Sequence, residues 1–395
     1  MSIKKLDNIM SIKKLDNRII IKNLIDLINE DFNLKLNIKI IKKNCEILSN
    51  KYLLIEKIWN DIEINYDYIF LKELDEEFID IMKIVKNNYL SSFSYYNEFI
   101  ENINSIIKLS YKNIIFYYIN KNDNFNKKKN EKVIINRLFK ESVVLSEFAK
   151  DNFDHDIIIL WIPVDKDRNF KYDNIEKINE STKNFEAFTA SGLTYGNYPR
   201  ITIISRYEEV DKLLFHELIH NLYLDGTKHH EDVCKHTENE YKTIKNSNNY
   251  NYEYAIYESY TELLSSYLNL IFKNIINNFN YNNKQNIIEK LCSQVIIELF
   301  YSYNVICNLI NINGYTNFKE FINNTVFKGN ICFYEYYFLK ALMYNNYILE
   351  DNNNMNNTIN NYKKIINIKK QDNLLETIYN KGFIKNENFS YIFFK

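Results

Sequence analysis

The string FHELIH, Phe215 to His220, places two histidines four residues apart with a glutamate directly after the first. On a helix, residues four apart share one face a single turn from each other, so the imidazoles of His216 and His220 can both reach one metal ion. Glu217 then stands about 100° round the axis. From there its carboxylate can reach a metal-held water without binding the metal itself, which is where a general base belongs. One Zn2+ ion is the metal this donor set predicts. The competing account, a chance coincidence on an ordinary helix, is weakened by the scarcity of histidine, six in the chain, and by the context of the motif.

That context is a strand followed by a helix. The run RITIIS, residues 200 to 205, is β-branched and apolar. SRYE, Ser205 to Glu208, has the Ser-x-x-Glu form of a capping box, so Ser205 is expected to cap the helix. Beyond it Val210, Leu213, Leu214, Leu218 and Leu222 make an apolar stripe at helical spacing, and Asp225-Gly226 is the expected stop.

A catalytic zinc takes three protein ligands and leaves a position for water. The first candidate for the third ligand is Glu258, in YESYTELLSSYLN. This segment reads as a second helix with Ile256, Tyr260, Leu263, Leu264, Tyr267 and Ile271 as its buried side. Glu258 and Glu262 share a face at i, i+4. One carboxylate can bind the metal while the other accepts the N–H of a ligating imidazole and fixes its tautomer. Taken without FHELIH, the same pair would read as solvated acids on a helix border. Two other donor sets compete. Asp225 lies one residue short of the position at which a metzincin carries its third ligand, and helix termination explains it. The cluster HHEDVCKH supplies His229, His230, Cys234 and His236, for which a polar loop is the simpler reading and a ligand, a substrate contact or a second metal the alternatives. His155, in DNFDHD, reads as a surface loop residue.

HELIH followed downstream by E-x-x-T-E-x-L resembles the gluzincin zinc metallopeptidases, the thermolysin-like and aminopeptidase-like group. The resemblance implies that His216, His220 and Glu258 bind zinc, that Glu217 is the base, and that Glu262 stands behind the ligands. It also implies that RITIIS is the edge strand along which an extended peptide aligns. The stretch SGLTYGNYPRITIISRYEEVDKLLFHELIHNLYLD is similar to metalloproteases of large DNA viruses, which would put the protein in the host-cell cytoplasm or the virion. The likeness covers residues 185 to 270. It departs from the group in the longer interval between His220 and Glu258 and in Ser259, where many relatives carry Gly.

The reaction these residues predict is peptide-bond hydrolysis, with zinc polarising the scissile carbonyl and Glu217 moving the proton of the attacking water to the leaving amine. Peptide or protein is the expected substrate. An oxyanion donor is also required; a tyrosine is the expectation, with Tyr260 and the YEYY run at 334 to 337 as candidates. The rival from another class is a non-catalytic interaction or virion protein with a structural zinc site or none, in which Glu217 has no role. A zinc hydrolase acting on something other than peptide shares the same motif.

The 395-residue chain is long enough for more than one domain, and its 46% hydrophobic and 26% charged residues are those of a globular protein. A net charge of −1 provides no general attraction to nucleic acid. No apolar run approaches the roughly 18 residues of a membrane span, and the duplicated start MSIKKLDNIMSIKKLDN lacks the apolar core of a signal peptide. Five scattered cysteines without CxxC spacing argue for a reducing, intracellular compartment. With only 6 Gly and 2 Pro, long helices are favoured. The apolar spacing is mostly helical from about residue 18 to 110. Short β-branched runs at 113–120, 156–164, 185–195 and 200–205 follow, with a helical segment between the first two, and helix returns after 236. The predicted fold class is α+β, predominantly helical. A small mixed sheet packs on the HExxH helix within 111–235, between helical regions at 1–110 and 236–395.

Overall fold

A computed structural model describes residues 37–66, 68–71, 76–89, 105–120, 129–163, 192–194, 200–205, 210–225, 256–278, 283–312, 337 and 340–349. In chain order the elements are α1 (Ile38–Asp61), β1 (Ile69–Leu71), α2 (Glu76–Tyr89), β2 (Ser105–Tyr111), β3 (Ile114–Asn120), α3 (Lys129–Phe148), β4 (Ile157–Ile162), β5 (Gly192–Thr194), β6 (Arg200–Ser205), α4 (Val210–Asn221), α5 (Ile256–Ile276), α6 (Lys284–Ile312) and α7 (Lys340–Asn346). The fold is α+β, helices with one mixed sheet. They group into two compact units, one carrying the sheet within 54–169 and 180–225, the other helical within 1–53 and 226–389.

Among the described residues the sheet has six strands in the order β1-β2-β3-β4-β6-β5. β2 and β3 form an antiparallel hairpin, closed through Lys112 at φ 51°, with Tyr111 opposite Ile114. β3, β4 and β6 run parallel, joined first through α3, and β5 folds back antiparallel on β6. Two expectations are corrected here. RITIIS is not an edge strand: it pairs with β4 on one side and β5 on the other, and the edge is the three-residue Gly192–Thr194. The region before residue 111 is not helical throughout, because β1 and β2 join the sheet.

Every residue of β4 and β6 is buried, as befits interior parallel strands covered on both faces. Alternation sorts β6. Ile201 and Ile203 enter a core with Phe78, Ile81 and Val85 of α2 and with Ile158, Leu160 and Ile162 of β4, against which Leu193 also packs. The other set, Arg200, Thr202 and Ile204, therefore points to the opposite face, where α4 packs on β6 and β5. On that same side α3 lies against β3, with Phe139 and Phe116 edge to face, and against α4, through an Arg137 Nη2 to Asp211 Oδ1 contact of 2.6 Å.

In the helical unit α5 is buried at almost every described side chain from Ser259 to Ile275, so it is a central helix rather than a surface one. Its polar residues find internal partners. Ser265 and Ser266 donate to the carbonyl of Glu262, and the Glu262 carboxylate accepts from Lys340 Nζ of α7 at 3.1 Å, with the lysine fully buried. Asn44 of α1 ties the chain after α7 by donating to the Tyr347 carbonyl and accepting from the Leu349 amide.

Candidate metal centre

The helix bearing the motif is α4, and its carboxy-terminal end differs from the sequence expectation. Ser205 is the last residue of β6, opposite Ile162, and the described helix begins at Val210; Glu208, the other half of the expected capping box, lies outside the described residues. At the far end α4 stops at Asn221 rather than at Asp225-Gly226. Leu224 N donates to Ile219 O and Tyr223 N to His220 O, the paired bonds of a Schellman turn, with Tyr223 in the left-handed position at φ 56°. A tyrosine there costs roughly 1 kcal/mol relative to glycine. Its ring is held in return: the Arg200 guanidinium stacks 4.1 Å from its centroid, and His155 meets it edge-on at 5.8 Å.

That turn carries Asp225 back beneath its own helix. Asp225 is buried, and its Oδ2 lies 2.5 Å from His220 Nδ1. An imidazole whose Nδ1–H is given to a carboxylate carries its lone pair on Nε2, the arrangement found behind metal-binding histidines. Asp225 is therefore a partner of His220, where termination of the helix had been the reading of this residue. Nearby, Arg200 Nη2 reaches the His220 carbonyl at 3.4 Å. Burial pulls the Arg200 guanidinium below its ordinary pKa, against which Tyr223 and Asp225 act.

Glu217 is buried and faces β5. The Thr194 hydroxyl lies 2.8 Å from both Glu217 Oε2 and the Glu217 carbonyl. Thr194 in turn stands 3.4 Å from the Thr202 hydroxyl, which accepts from Asn221 Nδ2 at 2.9 Å, while Asn221 Oδ1 meets His155 Nε2 at 3.0 Å. His155, expected on a surface loop, is thus half-buried and joined to the end of α4. Directly over the same carboxylate, a Cβ at Gly192 would fall 2.6 Å from Glu217 Oε1.

His216, His220 and Glu258 form a group that could hold a metal ion: each offers one ligand atom, and the three atoms lie within 4.8 Å of one another. The two imidazoles stand 5.1 Å apart at a 79° angle. Donors about 2.1 Å from one ion in a tetrahedral site stand about 3.4 Å from one another. The set would therefore close on a divalent ion after side-chain adjustments of up to about 1.5 Å, and two nitrogens with one carboxylate is a donor chemistry zinc accepts. Glu258 occupies the first turn of α5. Glu262, expected behind the ligands, has its carboxylate on Lys340. Among the proposed oxyanion donors, Tyr260 is buried edge-to-face against Tyr347, and Tyr337 lies under the Lys340 ammonium. His229, His230, Cys234 and His236 lie outside the described residues.

Sequence reading missed Thr194, Asn221 and the Asp225 to His220 pairing. None has a periodic signature. Only Asp225, one residue short of the metzincin ligand position, gave a trace of its role. Among the described residues no helix is long and apolar enough to cross a membrane. No protein-family model, no curated protein and no solved structure matches the chain.

Proposed function

We propose that this chain is a zinc-dependent peptidase of the gluzincin type, with His216, His220 and Glu258 as ligands to one Zn2+ and Glu217 as general base. The observation that carries the reading is the convergence of those three ligand atoms within 4.8 Å, next to a buried carboxylate on the same helix that is not one of them. A purely structural zinc site is normally closed by four protein ligands and has no use for a buried glutamate beside it.

When bound, zinc supplies Lewis acidity, polarising the scissile carbonyl and acidifying a water molecule at its open position. The remaining work falls to the chain. Glu217 accepts the proton of the attacking water on a carboxylate oxygen and returns it to the departing amine nitrogen. Asp225 holds the His220 ring by its Nδ1–H, which would leave Nε2 as the nitrogen able to hold a metal. Glu262, whose carboxylate accepts from Lys340 Nζ, fastens the helix that carries Glu258 to α7. β5, the edge among the described strands, rather than RITIIS, is where an extended peptide would pair. The sparse cysteines favour a reducing, cytoplasmic compartment.

The test is metal content and peptide hydrolysis of the purified protein against three variants. His216→Ala and Glu258→Ala should each lose stoichiometric zinc, and Glu217→Gln should keep zinc while hydrolysis falls at least about 100-fold. Zinc retained in full by Glu258→Ala would remove that residue from the ligand set. Hydrolysis by Glu217→Gln at the wild-type rate would leave the non-catalytic reading standing.

A further inference from the structure

We infer that the edge strand β5 is a cradle that sets the position of the Glu217 carboxylate, with Thr194 as a positioning residue and Gly192 as the space the carboxylate occupies. The inference rests on the reading of Glu217 as the base. The pleat carries the first part of the argument. Leu193 packs into the core on the far face of the sheet, so Gly192 and Thr194, two apart, both point at α4. Between them lies one carboxylate. Any side chain at 192 would meet Glu217 Oε1 at 2.6 Å, Glu217 Cγ at 2.7 Å and Leu213 Cδ1 at 2.8 Å. The other oxygen, Oε2, takes the Thr194 hydroxyl at 2.8 Å.

Donor bookkeeping fixes the direction of that bond. An ionised carboxylate and a carbonyl only accept, so the single Thr194 proton goes to Glu217. Thr202 must then be the donor in the Thr194–Thr202 pair, and its own oxygen accepts from Asn221 Nδ2. With the Asn221 carbonyl oxygen turned to His155 Nε2, each member of the row gives a hydrogen to the next and the row ends on the carboxylate. A buried carboxylate needs such a partner, since an unpaired one is strongly disfavoured. A bond to a charged acceptor is also about twice as strong as a neutral one. Thr194 thus fixes one of the two carboxylate oxygens of Glu217, leaving the general base preset before substrate arrives.

The experiment uses the full chain and two independent readouts. In the metal-free protein, thermal unfolding of Thr194→Val is compared with that of Thr194→Val in a Glu217→Met background. The Tm drop caused by losing the hydroxyl should shrink by more than about half when the carboxylate is gone. Equal drops in both backgrounds would mean that the hydroxyl serves only the Glu217 carbonyl, and would overturn the inference. In the zinc-loaded protein, Thr194→Val should lower kcat about tenfold or more with KM and zinc content unchanged, and Thr194→Ser should recover most of the loss. Gly192→Ala should lower kcat by about 10- to 100-fold, again with zinc retained. A kcat insensitive to Thr194→Val, or a loss that serine does not relieve, would also overturn it. Wild-type protein that hydrolyses no peptide, together with the expected Tm pattern, would defeat the peptidase reading and leave the cradle intact.

Discussion

Asp225 Oδ2 and His220 Nδ1 are 2.5 Å apart, joined across a helix-ending turn whose left-handed residue is a tyrosine. The carboxylate that orients one imidazole of the candidate centre is therefore delivered by the end of the helix that carries the imidazole. The candidate ligand and the group that orients it are built into one stretch of chain.

Removing that carboxylate should weaken metal binding without removing a ligand. Asp225→Ala is expected to lower zinc affinity about 10- to 100-fold, and Asp225→Asn, which keeps an acceptor in place, to lower it less. Competition with a chromophoric chelator measures both, and equal affinity across wild type and the two variants would separate Asp225 from the centre.

Zinc should also stabilise the fold. A ligand that binds only the folded protein adds about 2.7 kcal/mol at one hundred times its Kd. Saturating zinc should raise Tm in wild type and in Glu217→Gln, and a chelator should reverse it. His216→Ala should show little of the rise.

The buried Lys340 to Glu262 pair makes a different forecast. Lys340→Met leaves the Glu262 carboxylate without its cationic partner among buried helices and should cost about 3–5 kcal/mol of stability. Replacing both residues by apolar ones, Lys340→Met with Glu262→Leu, should return most of it. Urea unfolding monitored by helical circular dichroism distinguishes the two, and a single variant as stable as wild type would contradict the pairing.

Alkaline pH should loosen the helical unit. Tyr267 and Tyr344 are fully buried, and burial is the leading cause that pushes their phenols well above the ordinary 10.0. A raised folded pKa means that the neutral form is preferred in the fold. The associated stability is complete below 10.0 and is lost progressively as pH rises from there through the raised folded values. Tyr267→Phe and Tyr344→Phe should each flatten that loss, seen as a smaller fall in helical signal in an alkaline titration.

How much could be read beforehand follows from how local each signal is. β3, β4 and β6 were legible because β-branched and aromatic residues run together there, and interior parallel strands need no alternation. β1 has three residues, too few for any periodicity, and β2 follows a helical stretch whose spacing it interrupts only briefly. The order that makes β5 the edge depends on pairing across distant segments. At the centre, the two histidines were legible because four residues on a helix is a local rule. The turn was misplaced because Asp-Gly is the ordinary terminator, whereas Tyr223 adopts the left-handed position under the Arg200 guanidinium, a contact from another strand. Thr194 reaches Glu217 from strand to helix, and no spacing within either segment announces it.

The place of β6 between β4 and β5 bears on how the protein is made. A chain leaving the ribosome presents β4, IIILWI, before the strand that covers its second edge has been synthesised. An apolar edge of this kind invites pairing with other nascent chains. Release from that hazard comes only when residues 200–205 arrive, and α4 follows immediately behind them. The histidine-bearing helix thus emerges just as the sheet beneath it becomes complete.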